Sequence, residues 1–194
     1  MDRSVPPFVG PTAGSWIRAS ALGWWLGFVL LVPLLILPGA IGLGDLQSSL
    51  GLGMGAGVGF LQGRRLGEHR RSWTLRTAFG LALPFAVVDV AQRIDPTVPY
   101  SLAACVLVGG IVVGLLQAPL VAPTRRARLL WVVTSTLAWG LAAATVPVAD
   151  GLPRIPGLVG AARYLAVVLS GGILLGLVQA AVIGRLPRAA WGPA

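Results

Sequence analysis

Lysine is absent from these 194 residues, which also hold one cysteine, one histidine and six acidic residues. Each shortage excludes something. A lone cysteine, Cys105, permits neither an intrachain disulfide nor a thiol pair for a metal. A lone histidine, His69, rules out bis-histidine haem ligation within one chain. Charged residues make up 11% of the sequence, against about 25% in a soluble domain. Too little charge is present to cover a water-facing surface.

What is present is apolar: 56% of residues are hydrophobic and the mean hydropathy is +0.83. Several apolar runs approach the ~20 residues that a helix needs to cross ~30 Å of hydrocarbon. In that layer each backbone N–H and C=O must be bonded internally, so only helices or a closed barrel are possible. The runs are continuous, whereas barrel strands alternate apolar and polar. The expected fold class is therefore all-α integral membrane. It has six transmembrane helices near 19–38, 42–62, 74–92, 99–121, 129–149 and 160–183. Residues 1–15 are polar and rich in Pro and Gly, and the first apolar run reads as a permanent span, not a cleaved signal. The whole chain, 1–194, reads as one membrane domain with short tails at 1–15 and 185–194.

All 15 basic residues are arginine, and the formal net charge is +9. A basic excess of this size can mark nucleic-acid binding. These arginines lie between apolar runs and not along a soluble face, so no nucleic-acid partner is expected. Twelve of them, in the N-terminal tail, in GRRLGEHRRSWTLR, in APTRRAR and after span 6, fall on one side with Asp2 and Glu68. The other side has Arg93, Arg154 and Arg163 with Asp45, Asp89, Asp95 and Asp150. By the positive-inside rule both termini are cytoplasmic. The all-arginine choice, beside abundant Ala, Gly, Leu and Val, points to a GC-rich bacterial genome and hence a bacterial inner membrane. Arg64, Arg65, Arg70, Arg71, Arg125, Arg126 and Arg128 are candidate contacts for anionic lipid heads or a partner. Trp16, Trp73, Trp131, Tyr100 and Tyr164 fall near span ends, where aromatic belts form.

A motif recurs three times. Span 2 ends Gly55-Ala-Gly-Val-Gly59-Phe-Leu-Gln62, span 4 Gly110-Ile-Val-Val-Gly114-Leu-Leu-Gln117, and span 6 Gly172-Ile-Leu-Leu-Gly176-Leu-Val-Gln179. After each Gln come an arginine-bearing loop and a Trp: Trp73, Trp131 and Trp191. This reads as three helical hairpins, about 16–72, 73–130 and 131–190. A two-helix unit re-enters the membrane in the same orientation each time, so the copies are expected around an axis along the membrane normal. The result is a pseudo-threefold bundle.

Small residues at i and i+4 let helix backbones approach closely in lipid. Gly55/Gly59, Gly110/Gly114 and Gly172/Gly176 are therefore read as packing faces, with partner docking or a lipid groove as the alternative. Gln62, Gln117 and Gln179 each lie three residues past a motif glycine, on nearly the same face. They are candidates for a polar ring between helices, or for a partner contact. Asp89 and Arg93 are spaced for a helical ion pair at the outer face; a proton or cation site is the alternative. Pro33, Pro84 and Pro147 fall in odd helices, where kinks are tolerated. His69 is expected to be solvated, and Trp24 and Trp25 to face lipid or a partner helix. The glycine-rich run Gly51 to Gly59 sits in an apolar span with no preceding strand, which argues against a phosphate loop. No paired acid, activated nucleophile or metal-ligand cluster is present. Neither enzyme activity nor a cofactor is expected.

The G-x-x-x-G-x-x-Q hairpins with arginine loops and a following Trp resemble a type of uncharacterised bacterial polytopic membrane protein. The resemblance spans nearly the whole chain and implies no activity. Mitochondrial carriers share three two-helix repeats with Pro in odd helices, but their P-x-[DE]-x-x-[KR] signature is missing after Pro84. Substrate-binding subunits of energy-coupling-factor transporters are similar in size and helix number, with small residues such as Ala19 and Gly23 in span 1.

The sequence thus points to a non-catalytic subunit that scaffolds a larger membrane complex: photosynthetic, respiratory or transport. Its expected partners are lipids and other membrane subunits. The alternative is a small-molecule or lipid transporter subunit. That class predicts a wet outer cavity lined by Asp45, Asp89, Gln47 or Ser48.

Overall fold

A computed structural model describes residues 11–40 and 46–185. The apolar runs there fold as helices, because a helix satisfies its own backbone without water. They are α1 (Ala13–Ala40), α2 (Ser48–Gly63), α3 (Arg70–Ile94), α4 (Leu102–Val121), α5 (Arg125–Asp150) and α6 (Gly157–Ile183), with a 3-10 turn at Gly67–His69. No strand occurs among the described residues. Five helices, all but α2, are long and apolar enough to cross a membrane. The chain is accordingly a multi-pass membrane protein.

Of the six expected spans, α2 is the one that falls short of that length among the described residues. This helix has 16 residues, so it rises only ~24 Å, less than the ~30 Å hydrocarbon layer. The start of the 42–62 span, with Asp45, lies outside the described residues, as do Trp191 and most of both tails.

Local chemistry sets the helix ends. The Ser101 hydroxyl accepts from Ala104 N–H and the Thr124 hydroxyl from Ala127 N–H, each at 3.3 Å. These are N-caps that satisfy orphan donors. Between α2 and α3 the chain reverses through Gly67 at φ +52°, a left-handed conformation that costs glycine little.

Each helix packs against its sequence neighbours, and α6 packs against α1, so the six form a closed ring. Glycine makes the seams narrow. On α2 the residues at 51, 55 and 59 face α3, while 53 and 57 face α1, because a four-residue step holds a helix face and a two-residue step reverses it. A Cβ added at Gly57 would lie 2.3 Å from Gly27 N and 2.5 Å from Gly23 O. The α1 and α2 backbones therefore touch. Where hydrophobic drive between helices is weak, such contact supplies the van der Waals attraction that holds them. Two buried clusters fill the ring: one around Trp24, Leu81, Phe85 and Trp139, the other around Trp16, Trp73 and Trp131 at the arginine-rich end.

Candidate functional site

The most polar part of the interior is a layer at the arginine-rich end. Gln62, Gln117 and Gln179 are at most 1% exposed. The Gln62 carboxamide oxygen accepts from the Trp73 indole at 3.2 Å, that of Gln117 from Trp131 at 3.2 Å, and that of Gln179 from Trp16 at 3.1 Å. Gln62 donates to Gln179 Oε1 and to Ser20 Oγ, both at 2.8 Å, and Gln117 donates to Thr77 Oγ1 at 2.8 Å. The two hydroxyls in turn donate to the carbonyls of Trp16 and Trp73. Trp73 packs against Trp16 and Trp131 at centroid separations of 5.6 and 5.8 Å.

Trp16, Trp73 and Trp131 are 0% exposed, which corrects the aromatic-belt expectation for these three. Burying an indole removes 150–250 Å² from solvent or lipid, and a glutamine acceptor here satisfies the N–H that would otherwise need interfacial water. Trp24 is buried too and donates to Val168 O at 3.0 Å, whereas Trp25 is 55% exposed. The hydroxyls went unrecognised in the sequence, though a signal existed. Each tryptophan is followed four residues later by Ser20, Thr77 or Ser135, the spacing that puts both on one helix face. Ser135 is the exception in bonding: its Oγ is buried without a partner.

The motif glycines face the following odd helix. A Cβ at Gly55 or Gly59 would press on Thr77 of α3 at 2.7 Å; at Gly110 or Gly114, on Trp139 or Val132 of α5; at Gly172 or Gly176, on Trp24 or Ile17 of α1.

Asp89 serves α2. Its two oxygens accept the backbone N–H groups of Gln47 and Ser48, both at 2.8 Å, so a carboxylate from α3 completes the N-terminus of α2. Anionic charge is favoured there by the helix dipole. Asp89, Gln47 and Ser48 are thus joined to one another. A partly open cavity of about 220 Å³ lies in the half of the ring away from the glutamine layer, with the exposed Tyr164 and Leu165 on its wall. Its walls are apolar and come from α1 to α6, among them Phe28, Met54, Phe85, Val106, Trp139 and Leu165.

The arginines stay at the rim. Arg64, Arg65, Arg71, Arg125 and Arg126 are exposed. The Arg70 guanidinium sits 5.0 Å from the Phe60 ring centroid, and Arg128 donates to Ala122 O at 2.9 Å. At the opposite end, in the α3–α4 turn, Asp95 accepts from the hydroxyl and backbone N–H of Thr97 at 2.7 and 2.9 Å. These bonds, the hydroxyl's first, hold its carboxyl below the ordinary value of 3.8. Cys105 is buried as a free thiol. Among the described residues, no three His, Cys, Asp or Glu side chains are grouped to hold a metal.

No family model, curated protein or solved structure matches this chain.

Proposed function

We propose that the chain is a non-catalytic membrane subunit that stabilises a larger membrane protein assembly, such as a photosynthetic, respiratory or transport complex. In this reading three hairpins surround a pseudo-threefold axis along the membrane normal. The arginine-rich end and both termini face the cytoplasm of a bacterial cell. The short α2 crosses as part of its hairpin, wedged between α1 and α3.

The observation that carries the proposal is how the interior polar groups are used. All three buried glutamines are occupied in helix-to-helix bonds, and the glycines bring neighbouring helices to contact distance. Such an interior is built to hold shape. The outer surface carries exposed Leu22, Val29, Ile36, Phe79, Val87 and Leu137, an apolar face for lipid or neighbouring spans. Arg70 and Arg71 open α3, and Arg125 and Arg126 open α5. The helix dipole disfavours cations there by about 0.3–1 kcal/mol each, and anionic lipid heads or an acidic partner offset that cost.

Mild-detergent purification from the native membrane, with mass spectrometry of co-purifying proteins, tests the reading. Stoichiometric recovery of larger membrane proteins supports it. Migration of the chain alone with a bound small molecule overturns it in favour of a second reading, a carrier of an apolar ligand, which the 220 Å³ apolar cavity favours.

A further inference from the structure

We propose that the seam between α1 and α2 at the arginine-rich end binds one anionic phospholipid, a site that rests on this end lying at a head-group layer. The two helices enclose a cleft of about 410 Å³ there, lined by Arg18, Ala19, Leu22, Leu61, Arg64 and Arg65. It presents three guanidiniums and no carboxylate. A guanidinium's planar fork suits a phosphate, and basic pockets between spans at this depth take anionic head groups.

The order of residues within the cleft matches the order of groups in a phospholipid. Arg18 and Leu22 are four apart on α1, while Leu61 lies in the last turn of α2 and Arg64 and Arg65 follow the end of that helix. Four residues is about one turn, so the α1 pair shares a face. Because α1 leaves this end while α2 arrives at it, each helix places its leucine deeper than the arginines at the rim, by about 6 Å on α1. Below the cleft the same face of α1 continues as Leu22, Trp25, Val29, Val32 and Ile36, between 55% and 65% exposed. That stripe follows the 3–4 residue helical period. It is an apolar track for acyl chains directly beneath the charged rim, a gradient that a soluble acidic peptide would leave uncovered.

The cleft is particular to this seam. Arg18 stands two residues past Trp16, and the same offset from Trp73 and Trp131 gives Leu75 and Val133. Arg64 and Arg65 stand two and three past Gln62, where Gln117 has Pro119 and Leu120 and Gln179 has Ala181 and Val182. The other two glutamine helices carry no charge at these offsets, so the arginine triplet is an addition to the repeated sequence.

The test uses the full chain in nanodiscs of phosphatidylcholine, with and without phosphatidylglycerol, and native mass spectrometry to count retained lipids. The wild type is expected to hold one phosphatidylglycerol in preference to phosphatidylcholine. Arg18→Gln and Arg64→Gln are each expected to weaken retention about fivefold, the factor implied by ~1 kcal/mol per surface basic residue. Arg76→Gln, on α3 at the same end but outside the cleft, where the guanidinium donates to Leu116 O, is expected to leave that lipid in place. An absence of lipid preference, or an equal loss from Arg76→Gln, overturns the cleft while leaving the membrane reading intact. A wild-type chain that does not enter nanodiscs at all overturns both.

Discussion

The indole N–H of Trp16 donates to the side-chain oxygen of Gln179 at 3.1 Å, joining residues 163 positions apart. This bond latches α6, the last helix, onto α1, the first, and so helps close the ring. Gln179 Oε1 also accepts from Gln62, so the latch on α1 and the α2 glutamine share one acceptor.

Replacing Gln179 with leucine is expected to be the costliest change in the glutamine layer. It strands the Trp16 N–H and one Gln62 donor in a dry interior, at about 1–3 kcal/mol for an unsatisfied buried group. Gln117→Leu removes one acceptor and one donor and breaks no glutamine–glutamine bond, so a smaller loss is expected. Thermal unfolding in detergent measures both. Because Gln62 and Gln179 are bonded, the Gln62→Leu/Gln179→Leu double variant should lose less than the sum of the singles. Strict additivity would sink the shared-acceptor account.

Alanine substitutions along the glycine seams should rank by what the new methyl meets. At Gly57 the obstacles are backbone atoms at 2.3 and 2.5 Å, at Gly55 backbone at 2.7 and 2.8 Å, and at Gly110 Trp139 Cβ at 3.0 Å and Thr136 Cα at 3.1 Å. A closer obstacle demands a larger shift of the facing helix. Gly57→Ala is therefore expected to cost most, at or above the 1–3 kcal/mol of ordinary overpacking, and Gly110→Ala least. Gly39→Ala, with nothing within 4 Å, should be neutral. A flat response across the four would show that close approach does not hold the helices.

Helix positions were legible because length and hydropathy decide them in lipid; the expected 160–183 and 129–149 became 157–183 and 125–150. The surroundings of Trp16, Trp73 and Trp131 were not. A tryptophan near a span end fits an interfacial belt and a buried clamp equally well, and only the fold shows that a glutamine from another helix reaches it. Asp89 illustrates the same limit. Its spacing to Arg93 is local and readable, whereas its bonds to Gln47 and Ser48 cross about 40 residues of sequence. The W-x-x-x-[ST] spacing on α1 and α3 was present in the sequence and would have pointed to Ser20 and Thr77 as glutamine partners, whereas on α5 it gives Ser135, which bonds no glutamine.

Asp89→Asn is expected to loosen the start of α2. The carboxylate accepts two N–H groups at 2.8 Å, while an amide offers one oxygen and forfeits the charge that the helix N-terminus favours. A loss of about 1–2 kcal/mol is expected, on the scale of a removed N-cap. Hydrogen exchange should localise it to the amides of residues 47–50. Unchanged protection there would refute the capping role.

Protonation of Asp95 should loosen the α3–α4 turn at acid pH. Its folded pKa lies below 3.8 because Thr97 bonds the charged form. The contribution is thus fully present above about pH 4, near the unfolded value, and is lost as pH falls through the folded value. Thr97→Val removes the hydroxyl and keeps the backbone N–H, so the Asp95 carboxyl should titrate closer to its ordinary value. An NMR titration of that carboxyl checks the direction; a fall in pKa would contradict it.

Filling the partly open cavity should distinguish an empty void from an occupied one. Its roughly 220 Å³ exceed the ~150 Å³ of an engineered apolar cavity that stays dry and admits benzene. Ala143 lines it and is 5% exposed, so Ala143→Val would project two added carbons toward the space. If the cavity is empty, the variant regains contacts that the void forfeits, at ~24 cal/mol per Å³ filled, and a gain of about 1 kcal/mol is expected. If an apolar molecule occupies it in the native membrane, the same methyls compete with that molecule. Protein purified from native membranes would then be destabilised by the substitution, and a lipid extract of the wild type would contain a compound missing from the variant. The sign of the stability change, measured on native-membrane material and again on refolded, delipidated protein, therefore decides between the two readings. A gain in both preparations removes the observation favouring a ligand carrier.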